Sequence, residues 1–197
     1  PFDNRFVYYH DDFIERSRRE VMKQFILGDN IGFVTVNRSP SETPASYCFL
    51  TKFANVNGFI RSDSVSIDTV FPLYLYTEDG SKVSNLKKEI VDEIEKIIGK
   101  VLPEEIFDYI YAILHSPSYR EKYKEFLKID FPRVPYPKDK KQFEALIKLG
   151  RELREIHLLE SPKVSQTITT YPVSSSDIVE KISYKDGKVF INTEQYF

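Results

Sequence analysis

The residues that could do chemistry in this 197-residue chain are few and lie far apart. Metal-dependent nucleases need paired carboxylates and a nearby Lys to hold Mg2+ and orient water. Two triplets have the required types, Asp139-Lys140-Lys141 and Asp186-Gly187-Lys188. The first reads better as a helix cap followed by solvated lysines, and the second as a hairpin turn. Cys48, the one cysteine, would need a His partner to act as a nucleophile. Its apolar, strand-like neighbourhood suits a buried inert thiol instead. One cysteine also excludes an intramolecular disulfide and a thiolate metal cluster. His10, His115 and His157 have no metal-ligand spacing, and the last two close apolar helical faces, where structural roles are usual. Seven scattered glycines form neither a dinucleotide nor a P-loop fingerprint, and no Ser sits in a nucleophile elbow. The residue types therefore describe a binding or structural domain.

Composition agrees. Hydrophobic residues make up 41% and charged residues 29%, which is a folded domain with enough length for a core. The formal net charge of -2 argues against a binder that relies on overall positive charge, though a local basic patch stays open. No apolar run approaches membrane-spanning length and no signal peptide is visible, so a cytoplasmic protein with no membrane partner is expected. The chain begins at Pro1, as a piece of a longer polypeptide would.

The elements that must position any site read as α+β. Phe6–Tyr9 has strand composition, and Ser17-Arg18-Arg19-Glu20 has the form of a capping box. A helix is expected over 17–27, ended by Gly28, and then a strand over Ile31–Val36. After the polar loop 37–44, strand is expected over Ala45–Phe53, with a hairpin turn at Asn57-Gly58 and another strand over Val70–Tyr76. Pro72 puts that last strand at an edge or bulge. From Asn85 the period becomes helical. One amphipathic helix ends at Gly99, and a second, apolar on most sides and so buried, starts at Pro103. A third starts at Ser116-Pro117, and a long fourth is capped by Asp139. The stretch 131–137 (FPRVPYP) must be extended. A closing hairpin turns at Asp186-Gly187. The chain thus divides into a β-rich head (1–84), a block of about four helices (85–161) and a C-terminal β-hairpin (162–197). Charge segregates too: residues 116–154 hold eleven Lys/Arg against six Asp/Glu, whereas 77–108 hold five against nine. Solvated helix faces of opposite sign and a phosphate-facing basic surface both fit this pattern.

Several strings carry a resemblance. They are PFDNR (1–5) with Tyr8-Tyr9, RREVM (18–22), NIG (30–32), FPLYLY (71–76), HSPSYR (115–120) with Tyr123, FLKIDFP (126–132) with Pro135 and Pro137, LGREL (149–153) and HLLE (157–160). In this order they resemble the C-terminal target-recognition region of single-chain restriction-modification enzymes, the type ISP enzymes and the kindred type IIG adenine methyltransferases. The resemblance implies a DNA-reading domain without its own catalysis or cofactor. Double-stranded DNA and the methyltransferase domain of the same polypeptide would be its partners. S-adenosylmethionine would belong to the parent's methyltransferase, and Mg2+ and ATP to its nuclease and motor parts. Neither an Asn-Pro-Pro-Tyr motif nor a glycine-rich cofactor loop occurs in this chain.

DNA reading needs Arg or Lys for guanine, Asn or Gln for adenine, and Lys, Arg, Ser or Thr for phosphates. Given the resemblance, the loop Asn37-Arg38-Ser39 and the hairpin zone Lys52, Asn55, Asn57 and Arg61 become the candidate readers. Arg16, Arg18 and Arg19 at a helix start are candidate phosphate contacts, although Glu15 and Glu20 could neutralise them. Lys122, Lys124, Lys128 and Lys138 are candidates for the DNA backbone. A protein-interaction module that docks the methyltransferase or motor without reading DNA is the alternative.

Overall fold

The computed structural model describes residues 4–15, 17–37, 48–55, 60 and 68–197. They fall into two compact units, Pro1–Leu158 and Leu159–Phe197. The fold is α+β, as expected.

In the first unit, β1 (Gly32–Val36) is the middle of a three-stranded antiparallel sheet, flanked by β2 (Cys48–Thr51) and β3 (Asp68–Pro72). Gly32 pairs with Thr51 on one side and Pro72 on the other; Thr35 faces Cys48, and Val36 faces Asp68. Pro72 is accommodated because β3 is an edge strand, where a missing N–H breaks no inner ladder. The expected strand Val70–Tyr76 is broken at Leu73, whose N–H donates to the Ile31 carbonyl at 2.8 Å. Tyr74–Tyr76 becomes β4 and pairs with β5 (Lys82–Ser84). The β5 side chains are all exposed, so no apolar alternation announced it.

Two expectations near the N-terminus are corrected. Phe6–Tyr9 forms no strand. The helix expected over 17–27 is a four-residue α1 (Arg19–Met22) followed by a 3-10 turn, Lys23–Phe25. Ser17 does not cap it: its hydroxyl donates to Asp11 at 2.6 Å, and the residue at the helix start, Arg18, is left-handed with φ 49°. Gly28 follows, with the ring of Tyr76 against it. Asn30 then braces this segment. Its Nδ2 donates to the carbonyls of Gln24 (2.9 Å) and Tyr74 (2.8 Å), and its Oδ1 accepts from the N–H groups of Ile31 and Tyr74.

The helices follow their sequence signals closely. They are α2 (Lys88–Ile98), α3 (Pro103–His115), α4 (Pro117–Leu127) and α5 (Lys140–His157). Gly99 ends α2 at φ 89°. Glu105 accepts from the Leu102 N–H at 2.8 Å at the start of α3. Asp139 accepts from Gln142 N–H at 2.7 Å and opens α5. Helix α3 is central: Ile106, Phe107, Asp108, Tyr109, Tyr111 and Leu114 are all buried. Phe33 of β1 stacks on Phe107 at 3.9 Å between centroids, which joins sheet to helix. On the other side, Gly150 lets α5 approach the Asp108 backbone, and the buried Asp108 carboxylate accepts from Arg154 Nε at 2.6 Å.

The second unit contains a 3-10 turn (Pro162–Ser165) and the hairpin of β6 (Ser183–Lys185) with β7 (Lys188–Phe190). Asp186 (φ 53°) and Gly187 (φ 77°) make the two-residue turn that the sequence signalled. Fully buried Gln195 donates to the Val173 carbonyl and to Asp177, tying the preceding loop to the hairpin's end.

Candidate nucleic-acid interface

Strand register decides which candidates can act together. Because β1 is antiparallel to both neighbours, β2 and β3 run the same way, and the chain between them must cross back. Asn37 leaves β1 after Val36, Cys48 enters β2 opposite Thr35, and Asp68 enters β3 opposite Val36. Three strand ends, the exit of β1 and the entries of β2 and β3, therefore meet at one end of the sheet. Ile60, the residue before Arg61, is held at this end by its N–H, which donates to Asp68 Oδ2 at 3.0 Å. Asp68 is buried, and its Oδ1 has no hydrogen-bond partner among the described residues, leaving an acceptor open there.

Lys52 leaves from the opposite end, beyond the Gly32–Thr51 pair. Four strand residues separate the two ends by about 14 Å. A turn at Thr51, whose hydroxyl accepts from Phe53 N–H at 3.0 Å, follows directly. Lys52 is exposed and Asn55 half-buried. Arg16, Arg38, Ser39, Asn57 and Arg61 lie outside the described residues, as does the expected Asn57-Gly58 turn.

Arg18 and Arg19 stand at the start of α1, as expected, but that helix is short. A four-residue helix has little dipole to offer a phosphate. Arg19 donates to Asp11 at 3.2 Å, and Asp11 is held below the ordinary carboxylate range by the Ser17 hydroxyl and by Arg19. Arg18 is exposed at the helix start.

On α4, Lys124 pairs with Glu121 at 2.9 Å and Lys128 with Glu125 at 3.0 Å. Lys122 lies over the Tyr123 ring at 5.3 Å. Elsewhere in the basic stretch, Arg151 and Arg154 serve Asp108, and Arg133 pairs with Asp130 while covering the Phe126 ring. Lys138, Lys141 and Lys148 make no ion pair among the described residues. Much of the positive stretch is thus neutralised locally, while a smaller set of lysines stays available.

Beside the start of β2 lies a partly buried polar cluster that residue spacing did not reveal. Arg120 of α4 donates through its guanidinium to His115 Nδ1 at 2.9 Å and through Nε to the Leu114 carbonyl at 2.8 Å. Guanidinium nitrogens only donate, so His115 Nδ1 must accept and its proton sits on Nε2. That Nε2 donates to the Cys48 carbonyl at 3.2 Å. Burial and the Arg120 charge pull the His115 pKa down to about 4, which keeps the ring neutral. The Tyr111 hydroxyl and His157 Nδ1 share a hydrogen bond at 2.6 Å, and desolvation lowers the His157 pKa as well. Burial raises the Cys48 thiol to about 12, consistent with an inert thiol. His115 and His157 thus bond the ends of α3 and α5 to Cys48 and Tyr111 respectively. Among the described residues no three His, Cys, Asp or Glu gather to hold a metal, and no helix is long and apolar enough to cross a membrane.

A small antiparallel sheet is braced by the buried helix α3. The chain belongs to the Type ISP C-terminal specificity domain family, whose model matches residues 1–197. Among solved structures it is similar to a chain in the cryo-electron-microscopy structure of the DrdV–DNA complex, with 21% identity and a TM-score of 0.67. The match covers 96% of this chain and 20% of that one, so this chain spans about a fifth of its neighbour's length. At that identity the likeness establishes the fold. No curated protein matches the sequence.

Proposed function

We propose that this chain is the DNA target-recognition domain of a restriction-modification enzyme and directs an attached adenine methyltransferase to its sequence. The specificity-domain family match across residues 1–197 carries the reading. The DNA bound in the DrdV complex, whose fold this chain shares, supports it. In this reading Asn37, Arg38, Ser39, Lys52, Asn55, Asn57 and Arg61 are the candidate readers of the target. Arg16, Arg18, Arg19, Lys122, Lys124 and Lys128 meet phosphates, with Lys138 beside them. The chain itself performs no catalysis. S-adenosylmethionine is bound by the methyltransferase, Mg2+ and ATP by any nuclease and motor of the parent, and the parent works in the cytoplasm.

A second reading, a module that docks the methyltransferase, is favoured by one observation. Phe6, Val7, Tyr8 and Phe13 near the N-terminus are all exposed. Tyr8 stacks with His10 and meets Phe13 edge-on without covering it.

Fluorescence anisotropy with a mixed-sequence duplex, titrated across salt concentrations, separates the readings. DNA recognition predicts a linear loss of log affinity with log salt, and Lys52→Ala should reduce the slope by about 0.9 if Lys52 neutralises one phosphate. No binding at low salt, together with tight binding of the separately produced methyltransferase, would establish docking instead.

A further inference from the structure

We propose that His115, held by Arg120, is a positioning residue that locks the register of β2 and thereby sets sequence discrimination. The inference deepens the DNA-recognition reading and rests on it. Strand β2 is four residues long and, among the described residues, pairs with β1 alone. A short edge strand held on one side has few ladder bonds to define its register, and a one-residue slip turns every side chain to the opposite face. Here a slip would expose Cys48 and Leu50, which now pack on Tyr111 and Leu114, and bring Phe49 inward. It would also carry Lys52 and Asn55 along by about 3.4 Å.

The ladder to β1 does not act alone against that slip. The Cys48 carbonyl accepts from His115 Nε2. This single point fixes β2 along its own axis relative to α3. His115 cannot swing away, because Arg120 donates to its other nitrogen and is itself anchored on the Leu114 carbonyl. The ring also sits edge-on to Tyr111, with centroids 4.4 Å apart. An apolar residue could fill this space, but it could not supply the donor that chooses one carbonyl of the strand over the next. The cluster therefore does more than fill the core: it connects the start of β2 rigidly to α3 and α4.

The test uses the 197-residue chain with His115→Phe, which keeps a ring against Tyr111 and removes the donor, and His115→Gln, which restores an N–H near the Nε2 position. Two readouts are taken on each. Hydrogen exchange followed by mass spectrometry reports the backbone of 48–51 against α5 as an internal reference. Selection from a random duplex library reports sequence discrimination, with the salt slope measured alongside. The proposal expects His115→Phe to speed exchange in 48–51 by about fivefold, the loss of one hydrogen bond, with α5 unchanged. It expects enrichment of the preferred sequence to fall by roughly tenfold at an unchanged salt slope, and His115→Gln to recover most of both. A merely structural histidine would speed exchange in α5 equally, or leave enrichment unchanged; either result overturns the proposal. If His115→Phe does not fold, His115→Gln decides alone: protection and enrichment within twofold of wild type support the lock, and loss of either overturns it. If wild type enriches no sequence, DNA recognition by this chain fails, and the discrimination role fails with it. The exchange data then still show separately whether His115 holds β2.

Discussion

Gly150→Ala places the contact between α3 and α5 under direct strain, and two physical effects of opposite sign decide the outcome. Inside a helix, Ala is favoured over Gly by about 1 kcal/mol. Residue 150 lies well inside α5, so on propensity alone the variant should be more stable. The crossing argues otherwise. A Cβ at 150 would stand 2.7 Å from the carbonyl carbon of Asp108 and 3.2 Å from its Cα, and would overlap the carbonyl oxygen. These are backbone atoms in the middle of α3 and cannot rotate aside, so the helices must part. Overpacking of this kind costs about 3 kcal/mol at the upper end of its usual range. Parting the helices also stretches the bonds from Arg154 to Asp108, now 2.6 and 3.2 Å. The net expectation is a loss of about 2 kcal/mol, or a Tm lower by roughly 4–8 °C for a chain of this size. Urea and thermal unfolding followed by far-ultraviolet circular dichroism measure it, with the exposed Lys148→Ala on the same helix as a control. A Gly150→Ala variant as stable as wild type, or more so, would refute the backbone contact and the helix crossing derived from it.

Three further predictions concern charge. Arg154→Met should destabilise by about 3 kcal/mol, because it leaves the fully buried Asp108 carboxylate with only the more distant Arg151 at 3.5 Å. The exposed Lys124→Ala, which breaks its pair with Glu121, should not move the urea midpoint. Stability should also fall as pH drops through the range from about 6.5 to about 4. His115 and His157 are both lowered in the folded state, so the unfolded chain binds more protons there and is favoured as pH falls. Above about pH 7 this contribution is complete and flat. The urea midpoint measured against pH checks it, and His115→Gln should flatten the slope; an unchanged slope would mean that His115 is not the titrating group.

Where local signals governed the backbone, the sequence was legible. Gly99, Pro103, Ser116-Pro117 and Asp139 bound their helices where expected, because each acts within one turn of itself. The Asp186-Gly187 turn is legible for the same reason. Around α1 the local signal lost. Ser17 had a capping sequence, but its hydroxyl went to Asp11, six residues earlier. Strand β5 carries no apolar alternation, since its three side chains are exposed and it exists through its pairing with β4. The cluster of Cys48, His115, Arg120 and His157 depends on bringing together residues that are far apart in sequence, which spacing does not report.

Several of the strings that carried the family resemblance contain scaffold residues. Asn30 is the brace between the N-terminal segment and β4, and Gly32 lies where a Cβ would meet the Phe25 ring and the Phe71 carbonyl. His115, Ser116, Pro117 and Arg120 join α3, α4 and β2. Gly150 and Arg151 fit α5 to Asp108. Each of these residues answers a constraint of backbone geometry or buried polarity, and such constraints do not change with the DNA sequence being read. None of them is placed to choose a base. A reader of bases must instead be an accessible donor or acceptor whose fit depends on the target. That division explains why the family could be recognised from scaffold residues such as Asn30, Arg120 and Gly150 while the recognised sequence could not. It also makes a chimera the sharpest use of this fold. Replacing the crossover between Thr51 and Asp68 with that of a relative, while keeping His115, Arg120 and Asn30, should transfer the relative's sequence preference without loss of stability. A transplant that folds normally but keeps the original preference would place base reading outside the crossover.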